Sequence, residues 1–334
     1  MEKIGIGVIG CGGMGSSLAN SAKTLEHVEV LRVSDVDESR AKNLANQLSV
    51  EYDLAYHELF KHDEIQAVLV ATPPFMHSQV SVDAASAKKH VFCEKPMAPT
   101  LEACDAMIKA AQENGVKLTI GLVCRYHATH SKVRELVHSG ELGKPVCMMV
   151  SRIGGRWGGG HPSWRFKREL SGGSLMEINA HEIDFMRFVF GDVKSVYAVG
   201  GTYVQFEADY PDVMVVSLNF KNGAVGTLHS SHVSAIGAYG GRVDCENGSI
   251  YFPGIWGGGA TITYQKVGES AQTIPISEIK VEEPVKHEIR RFVDAIIKNE
   301  ELLITGYDGR AAVEIALAAY QSVETGEKVD LPIA

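Results

Sequence analysis

The sequence predicts two domains of different class. The first is a doubly wound α/β domain on a parallel sheet, and the second is an α/β domain with a mostly antiparallel sheet. Three observations carry this expectation. In the first third, apolar strand-like runs alternate with helical patterns, as they do in parallel sheets. A glycine loop of nucleotide-binding form stands at the first strand–helix step. Beyond residue 124, short strand-like segments joined by turns such as "KNG" and "ENG" replace that alternation. A length of 334 residues fits about two domains. The expected ranges are 1–123 and 124–334, with the final helix able to pack back on the first domain.

The run "IGIGVI", residues 4–9, reads as a buried strand, and "GCGGMG" follows it. In that loop Gly10 permits a tight turn, Gly12 lets the backbone approach a pyrophosphate, and Gly15 allows close helix packing. With Cys11, Gly13 and Met14 they form a candidate cofactor cradle, its phosphates facing the unpaired N–H groups of a helix start. The second strand, "VEVLRVS", ends at Asp35, 20 positions after Gly15, where a Rossmann domain places its ribose-binding carboxylate. A carboxylate there favours NAD over NADP, although Arg40 leaves NADP open.

The alternation continues through "IQAVLVAT", a helix to about Lys89, "HVFCEKP", "TLEACDAMIKAAQENG" and "VKLTIGL". Doubly wound sheets bind ligands at the carboxyl ends of their strands. Thr72, Pro73, His77, Glu94 and Lys95 fall at such ends and are candidate cofactor contacts. Pro96 keeps Lys95 out of helical backbone, so this lysine can donate to a substrate hydroxyl; the alternative is an exposed turn lysine.

In the second domain "THSKVRELVHSGELG" reads as a helix and "KPVCMMVSRIGG" as a strand. Residues 154–170 concentrate Trp157, His161, Trp164, Arg165, Lys167 and Arg168. Aromatic faces can cover a sugar ring and arginines can bind hydroxyls or anions, which makes this loop a candidate specificity element. "SGGSLMEINAHEID" reads as one helix with Glu177, His181 and Asp184 on one face. Five further strand-like segments span 193–266, and helices follow at about 285–298 and 308–323.

Composition narrows the classes. The 32 basic against 41 acidic residues give a net charge of −9, which argues against a nucleic-acid footprint. No apolar run has the length of a membrane span and no basic leader precedes one, so a cytoplasmic protein without membrane contact is expected. The six cysteines show no CxxC pair and read as free thiols. Glu177 and His181 offer two metal ligands without a third, and "HATH" at 127–130 reads as a polar helix start, so no metal is expected.

"GVIGCGGMG", "VSDVD", "VATPPFMH", "HVFCEKP" and "SGGSLMEINAHEID" occur in that order, and the chain closes on "GYDGRAAVEIALAAYQSVETGEKVDL". Together they resemble the Gfo/Idh/MocA oxidoreductases, over nearly the whole chain. The resemblance implies a Rossmann domain followed by a domain with an open, predominantly antiparallel sheet, through which members associate as dimers or tetramers. It implies catalytic roles for Lys95 and His181, and substrate contacts near Arg125, Tyr126, Trp164 and Arg165. Glu177 stands where the family usually has Asp, and Asn179 where a small residue is common, so this pair is a candidate mark of substrate preference.

The activity expected is NAD(P)-dependent oxidation of a secondary alcohol in a sugar, cyclitol or derivative, or the reverse reduction. His181 would accept the hydroxyl proton, Lys95 would donate to the developing alkoxide, and Glu177 would orient the imidazole or bind a neighbouring hydroxyl. Two other classes fit the same residues: an NAD-dependent glycosidase using transient oxidation and elimination, and a non-catalytic NAD sensor.

Overall fold

The structure, a computed structural model, describes residues 3–156, 163–255 and 259–333. The chain divides into two compact units: Met1–Val123 with Glu282–Arg310, and Cys124–Val281 with Ala311–Ala334.

The first unit contains a six-stranded parallel sheet. Its strands are β1 (Ile4–Ile9), β2 (Val28–Ser34), β3 (Glu51–Asp53), β4 (Ala67–Val70), β5 (His90–Cys93) and β6 (Leu118–Ile120), in the order β3-β2-β1-β4-β5-β6. Helices α1 (Gly13–Lys23), α2 (Glu38–Leu48), α3 (Pro74–Ser86) and α4 (Leu101–Asn114) lie between successive strands. All six residues of β1 are buried, as expected of a central strand covered on both faces. The strand order reverses between β1 and β4, so the loops after these strands flank the crevice where such sheets take ligands.

The second unit contains a nine-stranded sheet. It comprises β7 (Pro145–Ile153), β8 (Val193–Gly201), β9 (Val213–Phe220), β10 (Val225–Ser231), β11 (Ala238–Cys245), β12 (Gly248–Phe252), β13 (Thr261–Lys266), β14 (Gln272–Pro275) and β15 (Val329–Asp330). The order is β14-β13-β12-β11-β7-β10-β9-β8-β15; β7 and β10 pair in parallel and every other neighbouring pair is antiparallel. Helices α5 (Ala128–His138), α6 (Arg168–Ser171), α7 (Ser174–Glu177) and α8 (Ala180–Phe190) precede β8, and α8 packs on β7 and β10. One face carries the apolar side chains Met148, Val150, Val216, Leu218 and Leu228, all buried. The opposite face leaves Met149, Tyr197, Val199, Val215 and Tyr251 between 40% and 54% exposed.

Two expectations differ from this architecture. The stretch expected as one helix over 171–184 is two, because the chain breaks at Ile178–Asn179 between α7 and α8. There Asn179 N–H reaches Ser174 O at 3.2 Å, one residue beyond the regular α-helical spacing. Residues 282–310, expected in the second domain, belong to the first unit. Their helix α9 (Pro284–Ile297) places Ile289, Phe292 and Val293 in the core cluster around β1 and β2, and Phe292 meets Phe92 edge-to-face. The last helix, α10 (Gly306–Thr325), begins in the first unit and ends in the second.

Candidate active site

The glycine loop follows from backbone sterics. Gly10 has φ +95, and a side chain there would strike Ala71 O at 2.6 Å; at Gly15 a Cβ would lie 1.8 Å from Gly10 O. Gly12 and Gly13 differ, because nothing lies within 4 Å of a Cβ at either position. That open space adjoins the start of α1, which has no side-chain cap and no acidic residue in its first turn. Uncapped amides beside open space form a cradle that fits a pyrophosphate. Asp35 closes the far side: Oδ2 accepts Cys11 N–H at 2.7 Å and Oδ1 accepts Asp37 N–H at 2.9 Å. Burial, helped by the Asp35 charge, pushes the Cys11 thiol up to about 12, so Cys11 contributes its backbone and no thiolate. Met14 is exposed. Arg40 is exposed and pairs with Asp37 at 3.4 Å.

The next two strand ends are tied together by His77. Its ring is buried, with Nδ1 2.8 Å from Pro96 O and Nε2 2.8 Å from Thr72 O. A neutral ring donates to one of these carbonyls and an imidazolium to both. The ring thereby bridges the Thr72-Pro73 and Glu94-Lys95-Pro96 turns. Pro73 sits at the N-cap of α3, and the Thr72 hydroxyl is buried without a hydrogen bond. Glu94 is buried; Oε2 accepts the Lys95 N–H at 3.1 Å, and Gly121 packs against its carboxylate. Lys95 is half-buried on this fixed turn.

The second unit holds His181, Glu177, Arg165 and their neighbours. Gly172 and Gly173 have φ +79 and +73, and Leu175 N–H donates to Tyr320 Oη at 2.9 Å, which fixes the start of α7. Glu177 ends α7 buried and pairs with Arg165 at 2.6 Å. The Arg165 guanidinium lies 5.4 Å from the Trp164 ring, within cation–π range. His181 is half-buried in the first turn of α8. Asp184 makes a buried bidentate pair with Arg125, 2.8 and 2.6 Å.

Arg125, Tyr126 and Asn179, the other candidate substrate residues, also lie in this unit. Arg125 is committed to Asp184 and stacks over Phe188, so it anchors α8. Tyr126 is buried in the turn Val123–Tyr126. Asn179 is fully buried, its Nδ2 donating to Glu182 at 2.8 Å and its Oδ1 accepting from Ser230 at 2.6 Å. Trp157 and His161 lie outside the described residues. His130 of the "HATH" stretch packs edge-on against Phe185, and burial holds it down at about 3, a neutral core ring.

Sequence reasoning missed Glu182, Arg152, Tyr239 and His232. Glu182 is fully buried, pairs with Arg152 at 3.1 Å and accepts from Tyr239 Oη. His232 is held down at about 4, first by burial and then by the Arg152 charge. These partners stand 30 to 57 residues apart in sequence, and no local pattern signals them.

Residues 4–122 match the family described as "Oxidoreductase family, NAD-binding Rossmann fold", and 130–251 match "GFO/IDH/MocA C-terminal domain". A myo-inositol 2-dehydrogenase of Thermotoga maritima is 31% identical over 98% of this chain and 98% of that protein. The chain belongs to the Gfo/Idh/MocA oxidoreductase family. A 2,7-anhydro-N-acetylneuraminate hydratase of Mediterraneibacter gnavus is also similar, 30% identical over 68% of this chain and 61% of its own length. An aldose–aldose oxidoreductase from Caulobacter crescentus, crystallised with glycerol, superposes with a TM-score of 0.89 at 25% identity, covering 99% of this chain and all of that one. The first unit is thus the NAD-binding Rossmann domain of a Gfo/Idh/MocA enzyme, and the glycine cradle and Asp35 fit that cofactor. Among the described residues no helix is long and apolar enough to cross a membrane.

Proposed function

We propose that this enzyme transfers hydride between NAD and a secondary alcohol or ketone of a sugar or cyclitol, with His181 as acid/base and Lys95 as its partner. One observation carries the reading: every carboxylate on the His181 turn is already paired with an arginine. Glu177 has Arg165, Glu182 has Arg152 and Asp184 has Arg125. Those carboxylates already accept hydrogen bonds from guanidinium groups. Imidazole, which ordinarily titrates near neutrality, is the group on the turn suited to take a hydroxyl proton. The nicotinamide supplies the hydride chemistry when bound. Lys95, its backbone N–H held by the Glu94 carboxylate, donates to the oxygen as charge develops. Arg165, oriented by Glu177 and stacked by Trp164, meets neighbouring hydroxyls. NAD is preferred over NADP, because Asp35 would face a 2′-phosphate and Arg40 is engaged by Asp37. The polyol substrate class follows the inositol dehydrogenase and aldose oxidoreductase relatives. Assembly through the exposed face of the nine-stranded sheet is part of the same proposal.

The test is absorbance at 340 nm with NAD and with NADP across inositols, hexoses and glycosides. NAD-dependent turnover is expected with at least one polyol, and Lys95→Ala and His181→Ala should each lower kcat about 10²–10⁴-fold. Full activity in either variant removes that residue from the mechanism. A second reading is favoured by the hydratase relative: oxidation, elimination and re-reduction without net cofactor use. Product formation from a glycoside or anhydrosugar with no net change at 340 nm would select it.

A further inference from the structure

We propose that Glu182 and Asn179 are positioning residues that fix the His181 turn from both sides; this rests on the reading of His181 as acid/base. Glu182 follows His181 by one residue and Asn179 precedes it by two. Both side chains are fully buried, and both are bonded to the sheet. Glu182 Oε1 accepts from Arg152 of β7 at 3.1 Å and from Tyr239 of β11. Its Oε2 accepts Asn179 Nδ2 at 2.8 Å, and Asn179 Oδ1 in turn accepts from Ser230 of β10 at 2.6 Å. The Arg152 guanidinium also lies 4.4 Å from the Tyr239 ring centre.

A buried carboxylate with a cation and two further donors is satisfied, and removing one partner leaves charge or polar atoms stranded. The location turns this into a positioning device. The helix is interrupted at Ile178–Asn179, so α7 does not dictate the direction of α8 through a continuous hydrogen-bond ladder. Side chains that grip three strands take over that task, and His181 is one of the two residues between them. Asn179 is accordingly required by Glu182, and it marks how the turn is held rather than which substrate is bound. A small residue at 179 would leave Glu182 Oε2 and the Ser230 hydroxyl without their present partner.

The variants that test this differ in what they repair. Asn179→Ala and Glu182→Ala break the clamp. Glu182→Gln can rebuild it: if the Asn179 amide flips, the new NH₂ meets Asn179 Oδ1, while the remaining oxygen still serves Arg152 and Tyr239. With NAD and the best substrate from the 340 nm screen, Asn179→Ala and Glu182→Ala should lose about 10–100-fold in kcat with KM within a few-fold, since a misplacement near 1 Å costs about 10². Glu182→Gln should recover most of that loss, and NADH binding followed by fluorescence should be unchanged in all three.

A readout that needs no substrate is the His181 ring signal in ¹³C-histidine NMR, assigned with His181→Ala. It should shift or split in the Ala variants and return towards wild type in Glu182→Gln. Should Asn179→Ala not fold, Ser230→Ala removes only the outer hydrogen bond and should move the signal in the same direction. An unmoved His181 signal in folded Ala or Ser230 variants overturns the inference. A moved signal with unchanged kcat leaves the clamp standing and overturns the acid/base reading of His181 instead.

Discussion

At residue 173 the backbone has φ +73 and ψ −176, a region open essentially to glycine alone. A Cβ there would also lie 2.4 Å from Tyr320 Oη. Gly173→Ala should therefore cost about 2–5 kcal/mol, from backbone strain plus overpacking. Adding Tyr320→Phe removes the hydroxyl from the path of the new Cβ but also removes the acceptor of the Leu175 N–H, so it should return at most part of the steric cost and none of the backbone part. Urea unfolding measures both, and a loss under 1 kcal/mol for the single variant would contradict this account of the turn. At this scale the sequence displayed the candidates but not their partners. Lys95, His181 and Glu177 stood out through motif position. Arg125 meets Asp184 59 residues on, and Asn179 meets Ser230 51 residues on, so neither pairing is visible in local sequence.

At the scale of the element, α9 brings a carboxyl into the first unit where charge is poorly tolerated. Glu288 is buried, with Oε2 lacking a hydrogen-bond partner, and its carboxyl is pushed well above 4.5 by burial and then by the charge of Glu94. The folded state thus prefers the neutral acid, while the unfolded chain ionises in the ordinary range. Stability contributed by Glu288 is full below that range and is lost as pH climbs through it towards the raised folded value. Glu288→Gln mimics the neutral form, so it should stabilise the protein at pH 8 by about 1–3 kcal/mol, several degrees of melting temperature, and do little at pH 4. Equal effects at the two pH values in a thermal melt would show the carboxyl to be ionised in the fold. Elements with strong local signals, β1, β2, β4, β5 and β6 with α1, α3 and α4, were legible from periodicity and glycine position, whereas α2 and the three-residue β3 were not. The break between α7 and α8 was not, since the interactions holding Asn179 come from β10 and from within α8. Nor was the placement of α9, whose apolar stripe does not say which sheet it covers.

At the scale of the whole molecule, the bare face of the nine-stranded sheet is the feature that composition alone does not reveal. Register aligns Tyr197, Ser217, Thr227, Met149, Arg242, Tyr251 and Thr263 across seven adjoining strands. The row mixes apolar side chains with small polar ones and the charged Arg242, and it is the surface on which the proposed self-association is tested. Met149→Glu with Val215→Glu should lower the mass seen by light scattering coupled to gel filtration, with little change in the far-UV spectrum. An unaltered mass would count against assembly through this face.

The Rossmann unit is assembled from two stretches separated by 158 residues, 124–281. During synthesis its sheet emerges before the second unit, while Ile289, Phe292 and Val293 follow only after residues 124–281 have been made. Phe92 and the neighbouring apolar surface of β1 and β2 must wait for them. The nucleotide-binding half is thus finished late, after its neighbour has been translated. A nascent chain stopped before residue 282 carries every glycine of the cofactor loop but exposes the surface that α9 covers.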